Sequence, residues 1–214
     1  MATSQLDVNL LKEYKQHCSW VASYGMVKEI ARSISASNIL EIGVAYGYHA
    51  AHLLEGSEGL TYVGIDPYKA GYDPSDSFSN DVAKLFGFDP LREDSQQLGM
   101  DKLFLAVTES LRQVSPHATI ERMNFLQYSK KQPTRTFDLI YVDGDHTEAG
   151  AFTDIIFSLR HVSHDGVICG DDIEWQGVQQ ALERASKLYR LEPKILRSNQ
   201  TGKLLWYLEG AGRI

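Results

Sequence analysis

The chain has 214 residues, 43% of them hydrophobic and 23% charged, which suits one well-buried soluble domain over 1-214. A formal net charge of -7 excludes a phosphate-binding surface of clustered Lys and Arg, so no nucleic acid is expected and a small molecule is the default partner. Cys18 and Cys169, distant in sequence, read as reduced thiols. No apolar run reaches transmembrane length and the first residues lack a secretory pattern, so no membrane association and a cytoplasmic location are expected.

In chain order, Leu6 to His17 and Trp20 to Ser33 read as helices, the second with Trp20, Tyr24, Val27, Ile30 and Ala31 on one face. Residues 1–37 are therefore taken as N-terminal helices covering one side of a sheet, with a lid role in reserve and exposed faces that would allow a homodimer. Ile39, Leu40, Ile42 and Val44 form an apolar run suited to a strand covered on both faces. Glu41, inside that run, needs a partner: a ligand hydroxyl or amine, or a loop amide. Gly43 and Gly47 follow, and their missing side chains let a ligand approach the main chain. The spacing Glu-x-Gly-x-x-x-Gly is not the Gly-x-Gly-x-x-Gly of dinucleotide sites.

A helix over Ala50 to Leu54 leads to a second strand, Thr61 to Asp66. Asp66 stands roughly twenty residues past the glycine turn, where a carboxylate can accept from both ribose hydroxyls of an adenosine-containing ligand; a turn or helix cap is the competing role. Residues 68–97 are too long and too broken by Gly and Pro for an ordinary connection, and read as a lid candidate or a solvated insertion with a hint of one short helix. Met100 to Val114 is an amphipathic helix and Ala118 to Met123 the third strand.

The fourth strand, from Phe137, ends in Asp143-Gly144-Asp145-His146; after a helix at Ala151 to Leu159, the fifth, Gly166 to Cys169, ends in Gly170-Asp171-Asp172. If the two are parallel neighbours, their acids converge on one edge, where a divalent cation is needed to hold like charges together. An all-oxygen set suits Mg²⁺, with Mn²⁺ or Ca²⁺ as alternatives, and Asp143, Asp171 and Asp172 are the proposed ligands. The competing roles are helix caps for Asp171, Asp172 and His146, and an outward polar position for Asp145. A helix along Val178 to Leu188 and a hairpin of Pro193 to Ser198 with Lys203 to Glu209 complete the chain. Tyr72, Phe78, Trp175 and Trp206 are available to line an acceptor pocket or to pack.

Leu40-Glu41-Ile42-Gly43 through Tyr46-Gly47-Tyr48 resembles the first motif of class I S-adenosylmethionine-dependent methyltransferases, above all the catechol O-methyltransferase branch. Asp143 and the Asp171-Asp172 pair match the strand-end acids of metal-dependent O-methyltransferases of the catechol and the sugar or macrolide kinds, and the likeness spans Asn38 to Leu182. It implies a doubly wound, Rossmann-like α/β fold: a seven-stranded, mostly parallel sheet with an antiparallel last strand. It also implies S-adenosylmethionine held by Glu41, Gly43, Tyr46, Gly47, Tyr48, His49, Asp66, Asn124 and Asp143. His146 falls where that branch has its general base, with Asp143 beside it, and the reaction implied is metal-assisted methylation of a small-molecule hydroxyl. Two positions depart from the pattern. His49 stands where the branch has a hydroxyl residue facing the methionine carboxylate, and Met123-Asn124 where relatives place a small residue and an acid for the adenine. A metal-free methyltransferase using Asp143 or His146, a non-catalytic S-adenosylmethionine-binding module, and a metal-dependent hydroxylase or hydrolase are the other readings.

Overall fold

A computed structural model describes residues 22–74, 77–199, 201–209 and 212; the readings on Leu6 to His17, Cys18 and Trp20 lie outside them. Helix α1 (Ala22–Ser33) precedes β1 (Asn38–Ile42), α2 (Tyr48–Leu54), β2 (Thr61–Ile65), α3 (Phe78–Leu85), α4 (Glu93–Val114) and β3 (Ala118–Glu121). Then come α5 (Phe125–Lys131), β4 (Phe137–Val142), α6 (Glu148–His161), β5 (Val162–Gly170), α7 (Gln176–Tyr189), β6 (Lys194–Arg197) and β7 (Leu204–Glu209).

The strands form one seven-stranded sheet in the order β3-β2-β1-β4-β5-β7-β6. β1 to β5 pair in parallel, whereas β7 is antiparallel to both β5 and β6, which is the expected doubly wound arrangement. The alternation of side chains along each strand explains the apolar runs. Ile39, Tyr62, Leu139, Tyr141 and Cys169 enter one core with α1, α2 and α4. Their neighbours Leu40, Val63, Ile140 and Ile168 enter the other, with Phe125, Ile155 and Leu182 of α5, α6 and α7. Strand order reverses between β1 and β4, the place where open α/β sheets bind ligands. At the opposite edge Asp138 Oδ2 accepts from the Ser37 and Asn38 amides at 2.8 and 3.0 Å and from the Ser37 hydroxyl at 2.9 Å, fastening the start of β4 to the start of β1.

Three boundaries differ from the sequence pattern. α4 begins at Glu93, ahead of the Met100 start of the amphipathic pattern, so the end of 68–97 is helical as well as the short helix α3, and the rest of that stretch is irregular. β5 runs through Asp165-Gly166: Phe137 pairs with Val162 and Leu139 with Val167, so the turn-forming dipeptide becomes a bulge held by the β4 ladder. β3 stops at Glu121, and the following short helix α5 was not anticipated, although Asn124 and Gln127 form the capping box that marks its start. Cys169 is a buried free thiol. Among the described residues no helix is long and apolar enough to cross a membrane.

Candidate active site

The turn after β1 is shaped by the protein's own backbone. Gly43 has φ +88°, and a Cβ there would lie 1.8 Å from the Asp143 carbonyl oxygen. Glycine is demanded because the end of β4 crosses at that point. Gly47, at φ +74°, is crowded by the Val107 side chain, so at both glycines the direction a Cβ would take is filled by protein. Ala45, between them, is held at φ +48°, a conformation unfavourable for a residue with a Cβ. What holds it is Asp66. Its Oδ2 accepts from the Val44 and Ala45 amides at 3.1 and 3.0 Å, and its Oδ1 accepts from the Tyr68 amide at 2.7 Å. Burial pushes the Asp66 pKa up against the pull of those amides. The acid at the end of β2 thus ties the first two strand-end loops together at the cavity wall.

Glu41 finds its partners inside the protein. It accepts from the Tyr62 hydroxyl at 2.7 Å, and its Oε2 lies 3.1 Å from His49 Nδ1, close enough to pair but out of hydrogen-bond alignment. His49 is 2% exposed and lies between Tyr24 and Tyr141, whose rings are tilted against it with centroids 4.8 and 4.2 Å away. Its Nε2 has no hydrogen-bond partner in the protein. A buried imidazole nitrogen without a partner is costly, and His49 borders a cavity at the strand ends.

The acids meet as the strand order requires. Asp143 follows β4, and the Asp171-Asp172 pair follows β5, its parallel neighbour. His146 is clamped between carboxylates: Nδ1 is 2.7 Å from Asp73 Oδ2 and Nε2 is 2.9 Å from Asp172 Oδ2. The Trp175 ring stacks on it at 4.6 Å. Burial opposes its charge, yet the Asp172 and Asp73 contacts raise its pKa to about 9. Burial also works to raise Asp172, but the hydrogen bonds and charges of His146 and Lys203 together outweigh it and hold the pKa low. Asp143 is pushed well up, by burial and then by the Asp171 and Asp172 charges, and its contact is the Tyr141 hydroxyl at 3.2 Å. Lys203 places its ammonium 3.2 Å from Asp171 and 3.4 Å from Asp172. The capping alternative fails for all three residues. Thr147 caps α6, Asp145 accepts from the Thr147 amide at 2.8 Å, and α7 begins after Trp175 with no side-chain cap.

One ligand atom each from Asp143, His146 and Asp172 lie within 4.8 Å of one another, as do those of Asp171, Asp172 and Glu174. Carboxylate oxygens crowded so closely, with Asp143 driven toward its neutral form, are a donor set that suits a hard divalent cation.

A cavity of about 370 Å³ collects these groups, within the size range of small-molecule sites. Glu41, Gly43, Tyr46, Tyr48, His49, Asp66, Asn124, Asp143, His146 and Asp172 border it; Gly47 and Asp171 do not. Tyr72 and Phe78 border it too, whereas Trp206 is core, its Nε1 donating to the Asp171 carbonyl at 3.1 Å. Asn124 spends its side-chain oxygen on the Gln127 amide, as the cap of α5, at 2.9 Å. Three wall residues had no sequence signal: Asp73 in the broken stretch, Tyr24 on a helix face that reads as packing, and Asp154 on α6. Burial first and Asp145 second raise the Asp154 pKa to about 8, and burial followed by Asp154 takes Tyr72 to about 12.

No curated protein matches the chain. Among solved structures it resembles an O-methyltransferase from Bacillus cereus in complex with SAH, at 16% identity and a TM-score of 0.58, covering 94% of this chain and 90% of that one. TomG from Streptomyces achromogenes, an O-methyltransferase involved in tomaymycin synthesis and solved with SAM, shares 14% identity at a TM-score of 0.57 over 94% of this chain and 88% of its own. The SAH-bound methyltransferase PaMTH1 of Podospora anserina shares 16% at a TM-score of 0.59, over 94% and 87%. A family model described as Methyltransferase domain matches residues 40–173, from β1 to just past the Asp171-Asp172 pair, and on that match the chain belongs to the methyltransferase-domain family.

Proposed function

We propose that the protein is an S-adenosylmethionine-dependent O-methyltransferase acting on a small-molecule hydroxyl, with a divalent ion at Asp143, Asp171 and Asp172. The observation that carries this reading is that Asp66 and the Asp143–Asp172 group open onto one cavity at the switch point of the sheet. The oxygen as acceptor atom is supported by the O-methyltransferases among the similar folds. S-adenosylmethionine brings an already activated methyl group, so the chain's task is alignment, which can supply roughly 7–11 kcal/mol. When bound, a divalent ion would orient the acceptor and lower its hydroxyl pKa.

The residues divide that task. His49 Nε2, without a hydrogen-bond partner in the protein, is available to the carboxylate of the methionine end, with Glu41, held by Tyr62, beside its Nδ1. Asp66 has to exchange loop amides for ribose hydroxyls. Tyr46 and Phe78, in edge contact at 5.2 Å, make an apolar wall for the acceptor. His146 takes the acceptor's proton once one of its two carboxylate partners is engaged elsewhere. The buried thiol of Cys169 accords with a cytoplasmic, reducing location.

A thermal-shift panel tests the cofactor, because a ligand that binds only the native state raises its melting point. S-adenosylmethionine and its demethylated product should each stabilise the wild type but not Asp66→Ala, and NAD should do nothing. An equal response to NAD, or none to the two sulfur ligands, would sink the reading. The metal-free alternative is favoured by the Lys203 ammonium beside Asp171. It predicts that methylated product, read by mass, survives chelation.

A further inference from the structure

The two acids after β5 already have a cation of the protein's own. Lys203 sits in the turn that leads into β7, and its backbone is pinned on both sides. Its carbonyl accepts from the Ser198 amide at 2.8 Å, and its amide donates to Thr201 Oγ1 at 3.3 Å. The flexible stem then reaches across the end of the sheet to set Nζ between Asp171 Oδ1 and Asp172 Oδ1. Those are oxygens a divalent ion would need. The Asp172 side chain is fully shared, Oδ1 with Lys203 and Oδ2 with His146. Lys203 itself is 34% exposed, so its head has an open route to solvent.

We propose that Lys203 is a resident counter-ion that competes with the divalent metal for Asp171 and Asp172, and that metal loading displaces its ammonium into solvent. This rests on the metal part of the functional reading. A lysine is suited to the role because its charge is a compact point on a four-carbon stem that can swing away without disturbing the hairpin backbone. Two cations held at the same pair of carboxylates repel each other, so the lysine weakens metal binding for as long as it stays. An ion pair that served only to fasten the hairpin to β5 would behave differently. Its loss would loosen the fold and would not improve the affinity for metal.

Mn²⁺ titration followed by the free-ion electron paramagnetic resonance signal tests this on the intact chain, with wild type, Lys203→Met, Lys203→Arg and Asp172→Asn. Lys203→Met should bind Mn²⁺ about tenfold or more tightly than wild type, Lys203→Arg should stay near wild type, and Asp172→Asn should lose the site. In wild type, acetylation of Lys203 by acetic anhydride, read by peptide mass, should speed up when Mn²⁺ is added. Equal or weaker Mn²⁺ binding by Lys203→Met, or Lys203 acetylation unchanged by Mn²⁺, overturns the proposal alone. Mn²⁺ binding to none of the proteins overturns the metal part of the functional reading and this proposal with it.

Discussion

Asp73 Oδ2 accepts twice from His146, from the backbone amide at 2.9 Å and from Nδ1 at 2.7 Å, so the segment after β2 is latched to the end of β4. The latch closes the cavity over its acidic side and also keeps a proton on the imidazole that should act as base. Both effects come from one carboxylate, so its removal should abolish them together.

Asp73→Ala should lower the His146 pKa from about 9 by about one unit or more, since an opposite charge at contact is what raises it. The acid limb of the kcat/KM profile should move to lower pH by the same amount. Stability follows the sign for a raised histidine. The contribution is full below the unfolded value of 6.5 and is lost as pH climbs to about 9, so the melting point of wild type should fall more steeply over that window than that of Asp73→Ala. Histidine proton NMR measures the pKa directly. An unmoved resonance would remove Asp73 from the account.

Asp154 presents the opposite case. Its pKa of about 8 lies above the unfolded value of 3.8, so folding holds a proton that the unfolded chain releases, and stability declines as pH rises through that interval. Asp154→Asn removes the charge and keeps the shape. It should melt about 2 °C or more above wild type at pH 8, with the gain vanishing near pH 4. Thermal denaturation at the two pH values is the measurement, and a gain of equal size at both would be contrary to it.

His49 carries the orphan nitrogen. If it meets the carboxylate of the methionine end, His49→Phe should weaken S-adenosylmethionine binding about tenfold by calorimetry while leaving adenosine binding nearly unchanged. Tyr62→Phe should show a smaller loss, because Glu41 then keeps only the His49 contact. Equal losses for adenosine and S-adenosylmethionine would place His49 elsewhere.

Asp138 is remote from the chemistry and bears on stability alone. Burial opposes its charge, but the Ser37 amide and hydroxyl and the Asn38 amide hold its pKa low. Its contribution is present above the unfolded value of 3.8 and is lost as pH falls through the lower folded value. Asp138→Ala should cost about 1–3 kcal/mol in urea unfolding at pH 7 and much less at pH 2, with ligand affinity unaffected.

The strands and the placing of Asp66, Asp143 and Asp171-Asp172 at strand ends were legible because each rests on local periodicity, whereas the parallel order came from the resemblance to class I methyltransferases. Apolar runs such as Ile39 to Val44 mark strands buried on both faces, and side-chain alternation along them then decides which residue enters which core. The short helix α5 escaped notice although its capping box stands in the sequence, since seven residues carry too little apolar repeat to register. β5 begins before its apolar run, at Val162, because Phe137 pairs with Val162 ahead of the bulge at 163–166.

What the residues could not disclose was who meets whom across the cleft. Tyr62 reaching Glu41, Asp73 reaching His146 across 73 positions, and Lys203 lodging against Asp171 depend on how loops and a hairpin travel in space, and no periodic pattern encodes those paths. The glycines make the same point. Their spacing signals a tight turn after a strand, but that Gly43 is bare because the Asp143 carbonyl passes against it follows from packing β1 beside β4. Chain chemistry therefore specified the scaffold and the acids on its rim. The charge state of those acids came from burial and from neighbours far away in sequence, because electrostatic coupling falls with distance in space and takes no account of distance along the chain.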